Sequence, residues 1–468
     1  MRNITRHRLA AMVSTVAVAG ATMTLSVGTA SAAPGGSTGP SSSDAPYLVR
    51  ATSGITTTSL LTTGDAIGGY RMAGIPDGLG AYDNGDGTFT VLMNHEIPNT
   101  AGVPRAHGGT GAFVSRWVVD KNTLAVRSGS DQIKKVFLSV AGAYVQTPGV
   151  TFTRFCSADL PVASAFYNAA TGNGYDGRIF TNGEETTGGR AFAHVVDTGE
   201  SYQLADMGAA SWENIVANPA TRDKTVVAGT SDSGGGGVYI YVGDKKATGN
   251  PVEKAGLTGG RRYTISVAGL AAEDGATPAP AGPQPFTLNP GEGTGWDRPE
   301  DAAWDPKNPN DLYFVTTAAI GEHSRLWRAR FTDIADPAKG GTLEMLFEGP
   351  AGGPDGPKMM DNITVNDRGQ VLIQEDPGNQ AYLAGIYQYD IAGDAIRRIA
   401  DHDPARFVPG GASFDTIDEE SSGIIPAPFL GEGKYLLDVQ NHTKDADPEL
   451  VEKGQLLLMN VPPGQPVR

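Results

Sequence analysis

The sequence predicts an all-β protein, a six-bladed β-propeller with long inter-strand loops. Its 468 residues include 63 Gly and 31 Pro but only 7% aromatic residues, a composition typical of many short strands joined by turns. One pattern also recurs along the chain. A polar residue opens a short apolar strand, a turn follows, and a second apolar strand ends in further polar residues.

The clearest copy of this pattern opens at Glu300-Asp301, turns at residues 305–311 and closes at Thr316-Thr317. Five other copies have the same plan. They open at Asp77, Cys156, Glu213, Asp361 and Glu420. Their spacing is too long for a solenoid but suits propeller blades with variable outer loops. Because the innermost strand of each blade lines the central channel, the opening residues are expected to converge on one axis.

Converging acids at the axis predict a metal site. Carboxylates in contact cannot all remain ionised unless cations neutralise them, since like charges raise one another's pKa. For any one of these acids, local hydrogen bonding at a strand end or turn is the simpler interpretation. The same position in six copies favours a shared site instead.

The N-terminal segment predicts export. Residues 1–32 combine basic residues, an apolar stretch and a small-residue site, which indicates a secretory signal peptide cleaved after Ala32. The Gly-, Ser- and Pro-rich residues 33–45 are expected to form a flexible N terminus. Residues 46–468 are then one propeller domain, and the mature protein is expected to be secreted.

The charge of the protein limits its partners. The formal net charge is −16, and removing residues 1–32, with three arginines and no acids, gives −16 − 3 = −19 for the mature chain. Such a surface repels polyanions, which argues against nucleic acid and anionic lipid as partners. No segment after the signal approaches the roughly 20 apolar residues of a membrane span. We expect a monomer that acts on a small molecule.

Cys156 is the single cysteine, so the chain has no internal disulfide. A buried structural thiol is the ordinary interpretation of such a residue. Its position at the opening of a repeat, among acids, favours a thiolate ligand, and a soft ligand beside hard carboxylates suits iron. The carboxylates that close repeats, such as Glu96 and Glu375, are ligands that calcium prefers.

The strongest local motif is Arg298-Pro299-Glu300-Asp301. A guanidinium two residues before a strand-end carboxylate can bind phosphate through paired hydrogen bonds while the carboxylate holds a metal. A surface ion pair is the alternative. No phosphate-binding glycine loop with Gly-Lys-Ser/Thr occurs, so the sequence does not predict a nucleotide-dependent enzyme.

The order of these motifs resembles the PhoX-type alkaline phosphatases. The matching segments are Asn94-His95-Glu96, Cys156-Ser157, Arg298-Pro299-Glu300, Asp361-Asn362, Glu375-Asp376 and Glu420 with Gly423. The resemblance implies a propeller with iron and calcium on its axis that hydrolyses phosphate monoesters outside the cell. It implies that Cys156 binds iron, that Glu213 and Glu300 hold metals, and that Arg298 binds the phosphate.

The candidate catalytic residues are therefore Arg298 and Glu300. The candidate metal ligands are Glu96, Cys156, Glu184, Glu213, Glu300, Asp361, Asn362, Glu375 and Glu420.

The chain departs from the family pattern in places. Arg6-His7-Arg8 lacks an adjacent arginine pair, Cys156-Ser157-Ala158 has alanine where glycine is expected, and Asn441 separates Gln440 from His442. Two other functions also fit the axial acids. One is a different calcium-dependent propeller hydrolase, such as a lactonase or a phytase-like enzyme, which needs no iron. The other is a non-catalytic extracellular binding propeller that uses calcium only for stability.

Overall fold

Antiparallel β-strands make up almost all regular structure, because short apolar runs alternate with turn-forming residues along the chain. The computed structural model describes residues 35–351 and 356–463, so the predicted signal peptide lies outside the described residues. The helices in these ranges are single turns at Ala163–Ala165, Ala205–Met207, Pro251–Lys254, Pro337–Lys339, Pro404–Phe407 and Pro428–Leu430. None of them is long and apolar enough to cross a membrane.

In four of the main sheets the strands follow one another outwards from the axis. The first contains Pro76–Asp83, Thr88–His95, Phe113–Asp120 and Val126–Asp131. The second contains Phe155–Asp159, Ile179–Glu184, Gly189–Val195, Glu200–Gln203, Lys135–Val140 and Ala143–Gln146. Another contains Met360–Val365, Gln370–Glu375, Gly385–Asp390, Ala395–His402 and Leu48–Arg50. The last contains Glu419–Pro426, Lys434–Lys444, Glu452–Asn460, Thr56–Thr62 and Gly36–Thr38.

A nine-stranded sheet begins and ends at the axis. Its strands are, in order, Trp212–Ala217, Lys224–Ser231, Val238–Asp244, Arg261–Val267, Gln284–Asn289, Gly341–Glu348, Arg325–Phe331, Asp311–Thr316 and Pro299–Trp304. Short strand pairs outside the main sheets join Ala66–Ile67 to Tyr70–Arg71, Tyr167–Asn168 to Asn173–Gly174, and Gly234–Gly236 to Trp296–Asp297. Ala209–Ala210 pairs with Gly189–Val195.

The axial strands, here called the inner strands, form a closed ring. They are Pro76–Asp83, Phe155–Asp159, Trp212–Ala217, Pro299–Trp304, Met360–Val365 and Glu419–Pro426. Each inner strand contacts the next one, and the last contacts the first. This arrangement confirms the predicted all-β propeller fold, in which the inner strands line the central channel.

The N-terminal strands complete the last sheet. Thr56–Thr62 pairs antiparallel with the C-terminal strand Glu452–Asn460, and Gly36–Thr38 adds to it in parallel. Gly36–Thr38 lies within residues 33–45, which were expected to be flexible. These residues pair with the free edge of Thr56–Thr62 and satisfy its backbone groups.

The apolar core lies between neighbouring sheets and away from the axis. In one cluster, the Trp296 ring meets Phe314 and Trp327 edge to face, with centroids 5.0 and 5.4 Å apart. Buried aromatic side chains contribute a large share of core stability. At one end of the channel, by contrast, almost all the lining side chains are charged.

Candidate metal centre

One residue from each inner strand points into a single cavity of about 280 Å³ at one end of the channel. These residues, called the inner ring, are Asp77, Cys156, Glu213, Glu300, Asp361 and Glu420. All are buried. The convergence expected from the repeat is therefore present. Of these six residues, Asp77 alone was not predicted to be a metal ligand, although it opens a repeat.

Each inner strand contains a register shift typical of a β-bulge. The shifts lie at Asp77–Leu79, Phe155–Ala158, Trp212–Ile215, Pro299–Ala302, Met360–Ile363 and Ser422–Ile425. The first five include or adjoin the inner-ring residue of their strand. Bulges re-aim side chains and are common beside active sites. They explain how the ring residue and its neighbour point to different parts of the channel.

A second ring surrounds the first. Five of its members directly follow the second strand of their repeat, and the sixth, His442, lies within Lys434–Lys444. The backbone N–H of each member donates to the carbonyl oxygen two residues before the inner-ring residue. In the first repeat, for example, Glu96 donates to Ile75 at 2.8 Å. The members of this outer ring are Glu96, Glu185, Asp232, Thr317, Asp376 and His442. All except Thr317 line the cavity.

Two predicted ligands, Glu184 and Glu375, lie one position before outer-ring residues and do not line the cavity. Successive side chains of a strand point to opposite faces, so these two point away from it. Glu184 accepts hydrogen bonds from Arg190 Nε and Nη2, both at 2.6 Å. Glu375 accepts from Gly385 N–H at 2.7 Å and Tyr382 Oη at 2.9 Å. In each case the following residue faces the cavity instead.

Asn362, also a predicted ligand, follows the inner-ring residue Asp361 and lies outside the cavity. Its Nδ2 donates to Ser157 Oγ. Both side chains line a separate cavity of about 330 Å³ along the channel. The alternation of side chains along the strand again explains the difference, because adjacent residues cannot both face the same side.

Ligand atoms of the two rings form three overlapping groups, and the atoms within each group lie within 4.8 Å of one another. The groups are Asp77 with Glu96 and Cys156, Cys156 with Glu185 and Glu213, and Glu213 with Glu300 and Asp361. Because Cys156 and Glu213 each belong to two groups, the three are contiguous. Carboxylate oxygens with one thiolate form a donor set suited to both hard and softer cations.

The electrostatics of the inner ring favour cations. Burial raises the pKa of four inner-ring carboxyls well above the ordinary value, and neighbouring carboxylates raise it further. These four are Asp77, Glu213, Glu300 and Asp361. Burial and the adjacent Glu185 likewise raise the pKa of the Cys156 thiol. Without a cation the ring therefore retains protons, whereas bound cations would release them and be held by the resulting anions. The residues present fit a resident metal.

Two arginines enter the same cavity. Arg154 and Arg298 each lie two residues before an inner-ring residue and have φ values of 42° and 59°, in the left-handed region. Arg298 donates to Asp232 through Nε at 2.9 Å and Nη2 at 3.0 Å, and to Glu300 at 2.8 Å. Arg154 pairs with Glu96 at 2.8 Å. The equivalent positions Ile75 and Met359 also have positive φ values, of 48° and 44°, so this backbone conformation belongs to the repeat and not to the arginines alone.

Arg154 was not predicted, although the spacing of Arg154-Phe155-Cys156 matches that of Arg298-Pro299-Glu300. His442 was also missed. Its Nδ1 lies 2.7 Å from Glu452, and although burial opposes its charge, Glu420 and Glu452 raise the pKa of His442 to about 11. With Lys444, which also lines the cavity, four basic side chains lie among its acids.

No protein-family model matches the chain, and no curated protein matches it. Among solved structures, it is similar to Pseudomonas fluorescens PhoX in complex with vanadate, a transition state analogue. The TM-score is 0.57 at 13% identity, over 87% of this chain and 95% of that one. An α-L-arabinofuranosidase of Fusarium graminearum matches with a TM-score of 0.42 at 8% identity, over 82% and 92% of the two chains. The similarity to PhoX supports the propeller fold.

Proposed function

We propose that this protein is a secreted, metal-dependent phosphatase that hydrolyses phosphate monoesters. The observation that carries the proposal is the contiguous set of buried carboxylates and one thiol beside Arg298. The similarity in fold to PhoX, whose structure contains a transition state analogue, agrees with this proposal but does not by itself extend beyond the fold.

The two rings would hold the metals. Cys156 supplies the soft ligand that suits iron, and the carboxylates around it suit iron and calcium. When bound, such metals neutralise negative charge on the phosphoryl oxygens. In the proposed assignment, Cys156 binds iron and Glu213, Glu300 and Asp361 share the remaining ions, with Glu96 and Glu420 as further ligands.

Arg298 would bind the phosphate. Asp232 and Glu300 hold its Nε and Nη2, whereas its Nη1 has no partner among the residues that the structure describes. The guanidinium is therefore already oriented, which reduces the entropy lost when phosphate binds. Hydrogen bonds from such a fixed donor would stabilise charge on the phosphoryl oxygens in the transition state.

Arg154 and His442 would favour an anionic substrate over a neutral one. Both line the cavity, and each pairs with acids at its edge. Together with bound cations, they would make the cavity attractive to a phosphate ester despite the negative charge of the whole protein. This distinguishes the proposed substrate from the neutral esters that a lactonase hydrolyses.

The proposal is tested with full-length protein exported by a bacterial host. Its iron and calcium contents are measured, and p-nitrophenyl phosphate hydrolysis is followed before and after chelation. E300Q should abolish turnover and lower the metal content. A matched control is E344Q, since Glu344 pairs with Arg328 on an outer strand. Full activity in E300Q, or a metal-loaded wild type without hydrolysis, would contradict the proposal.

A further inference from the structure

We infer that Ser157 and Asn362 position Glu213 between two metal-binding groups. This inference rests on the proposed metal centre and adds two residues that do not line its cavity. Glu213 is the carboxylate that two of the three groups share. Its orientation therefore decides whether these groups can act as one continuous site.

The contacts form a chain that crosses the channel. Ser157 Oγ donates to Glu213 Oε1 at 2.8 Å, and the Ser157 backbone N–H approaches the same oxygen at 3.4 Å. Asn362 Nδ2 donates to Ser157 Oγ. Ser157, Asn362 and Glu213 are only 2, 1 and 3% exposed, respectively. Water therefore has little access to replace these hydrogen bonds.

The direction of the chain follows from the groups involved. With a cation bound, the Glu213 carboxylate is ionised and can only accept, so the single Ser157 hydroxyl hydrogen points to it. Ser157 Oγ must then accept its second hydrogen bond, and the amide of Asn362 supplies that donor. Asn362 thus holds the hydroxyl in the orientation that Glu213 needs.

The position of the chain explains why it acts on the metals without touching them. Ser157 and Asn362 follow the inner-ring residues Cys156 and Asp361, and both line the channel next to the ring. One oxygen of Glu213 is fixed by Ser157. A ligand held in this way loses less rotamer freedom on metal binding, and such partners typically change metal affinity by about 10- to 100-fold.

The test compares S157A, N362L and the double variant, each purified as the full chain. Iron and calcium dissociation constants are measured by chelator competition, separately from p-nitrophenyl phosphate hydrolysis. S157A should weaken the affinity about 10- to 100-fold. N362L should weaken it less, about 3- to 10-fold, since the serine hydroxyl remains. Because Asn362 acts through Ser157, the double variant should match S157A instead of adding the two effects.

Ser115→Ala is the matched control, since Ser115 is a buried serine that bonds His95 and Trp117 away from the cavity. It should lower the melting temperature and leave metal affinity unchanged.

Unchanged affinity in S157A and N362L, or additive effects in the double variant, would overturn the inference. If S157A does not fold, N362L carries the same comparison. If wild type binds metals but hydrolyses no phosphate ester, the proposed function fails while weakened binding in these variants still supports the inference.

Discussion

Removing the metals is expected to lower the melting temperature more at pH 8 than at pH 5. In the metal-free protein, buried carboxyls of the two rings must keep protons or remain as uncompensated charges. Bound cations remove this cost. The effect of chelation therefore depends on how many of these groups would ionise in the unfolded chain at the same pH.

The size of this cost in free energy follows from the pKa values of two outer-ring residues. Burial, followed by the charge of Glu96, raises the pKa of Glu185 from 4.5 to about 7. Burial, followed by the charge of Glu420, raises the pKa of Asp376 from 3.8 to about 7. At about 1.4 kcal/mol per pKa unit, these shifts cost the metal-free fold on the order of 3 to 4 kcal/mol each at pH 8.

The sign follows from the protons bound in each state. Below about pH 4 these carboxyls are protonated in both the folded and the unfolded chain, so their pKa shifts do not lower the stability. Between about pH 4 and 7 the unfolded chain ionises first, so the folded state binds more protons and metal-free stability falls as the pH rises. Above pH 7 the full cost remains.

The assay is thermal unfolding at pH 5 to 8 with and without a chelator, and the difference between the two melting temperatures is compared across pH. Burial lowers the pKa of His95 and His194 to about 3, which destabilises the fold below about pH 6.5. Both histidines affect the samples with and without chelator alike, so their contribution cancels in the difference between the two melting temperatures. A difference that is constant, or larger at pH 5, would refute the reasoning.

Five substitutions test individual side chains. E185Q should lower the metal content measured by elemental analysis, whereas E184Q should lower the melting temperature without metal loss, because only Glu185 faces the cavity. R298K should raise KM for p-nitrophenyl phosphate at least about 10-fold, since lysine cannot form paired hydrogen bonds. C156S should lose iron and retain calcium, because a hydroxyl replaces the soft ligand. T317E should raise KM without metal loss by offering Arg298 a competing carboxylate.

The fold and the inner ring could be predicted because both follow from the repeat. Each copy places its opening residue at the same point of an inner strand, so the convergence of Cys156, Glu213, Glu300, Asp361 and Glu420 required no knowledge of the loops. Periodicity in the sequence is sufficient for this kind of inference, since every blade repeats the same local geometry.

The outer ring was harder to predict because it depends on the register between paired strands. Glu184 and Glu375 each precede a second acid, and which acid faces the cavity depends on how the second strand pairs with a bulged inner strand. A shift by one residue turns every side chain to the opposite face. Neither the bulge nor the pairing can be read from the acidic dipeptides alone.

The outer ring also shows how a repeated fold produces an asymmetric site. At the position that Glu185 occupies in one repeat, the repeat of Arg298 has Thr317, whose hydroxyl donates to the Met360 carbonyl and which does not line the cavity. Both arginines pair with the outer-ring acid of the preceding repeat, Glu96 for Arg154 and Asp232 for Arg298, but Arg154 also pairs with Glu185 of its own repeat. The outer-ring position in the repeat of Arg298 is therefore uncharged. The proposed phosphate site would therefore lie where the residues of one repeat depart from the pattern that the repeats share.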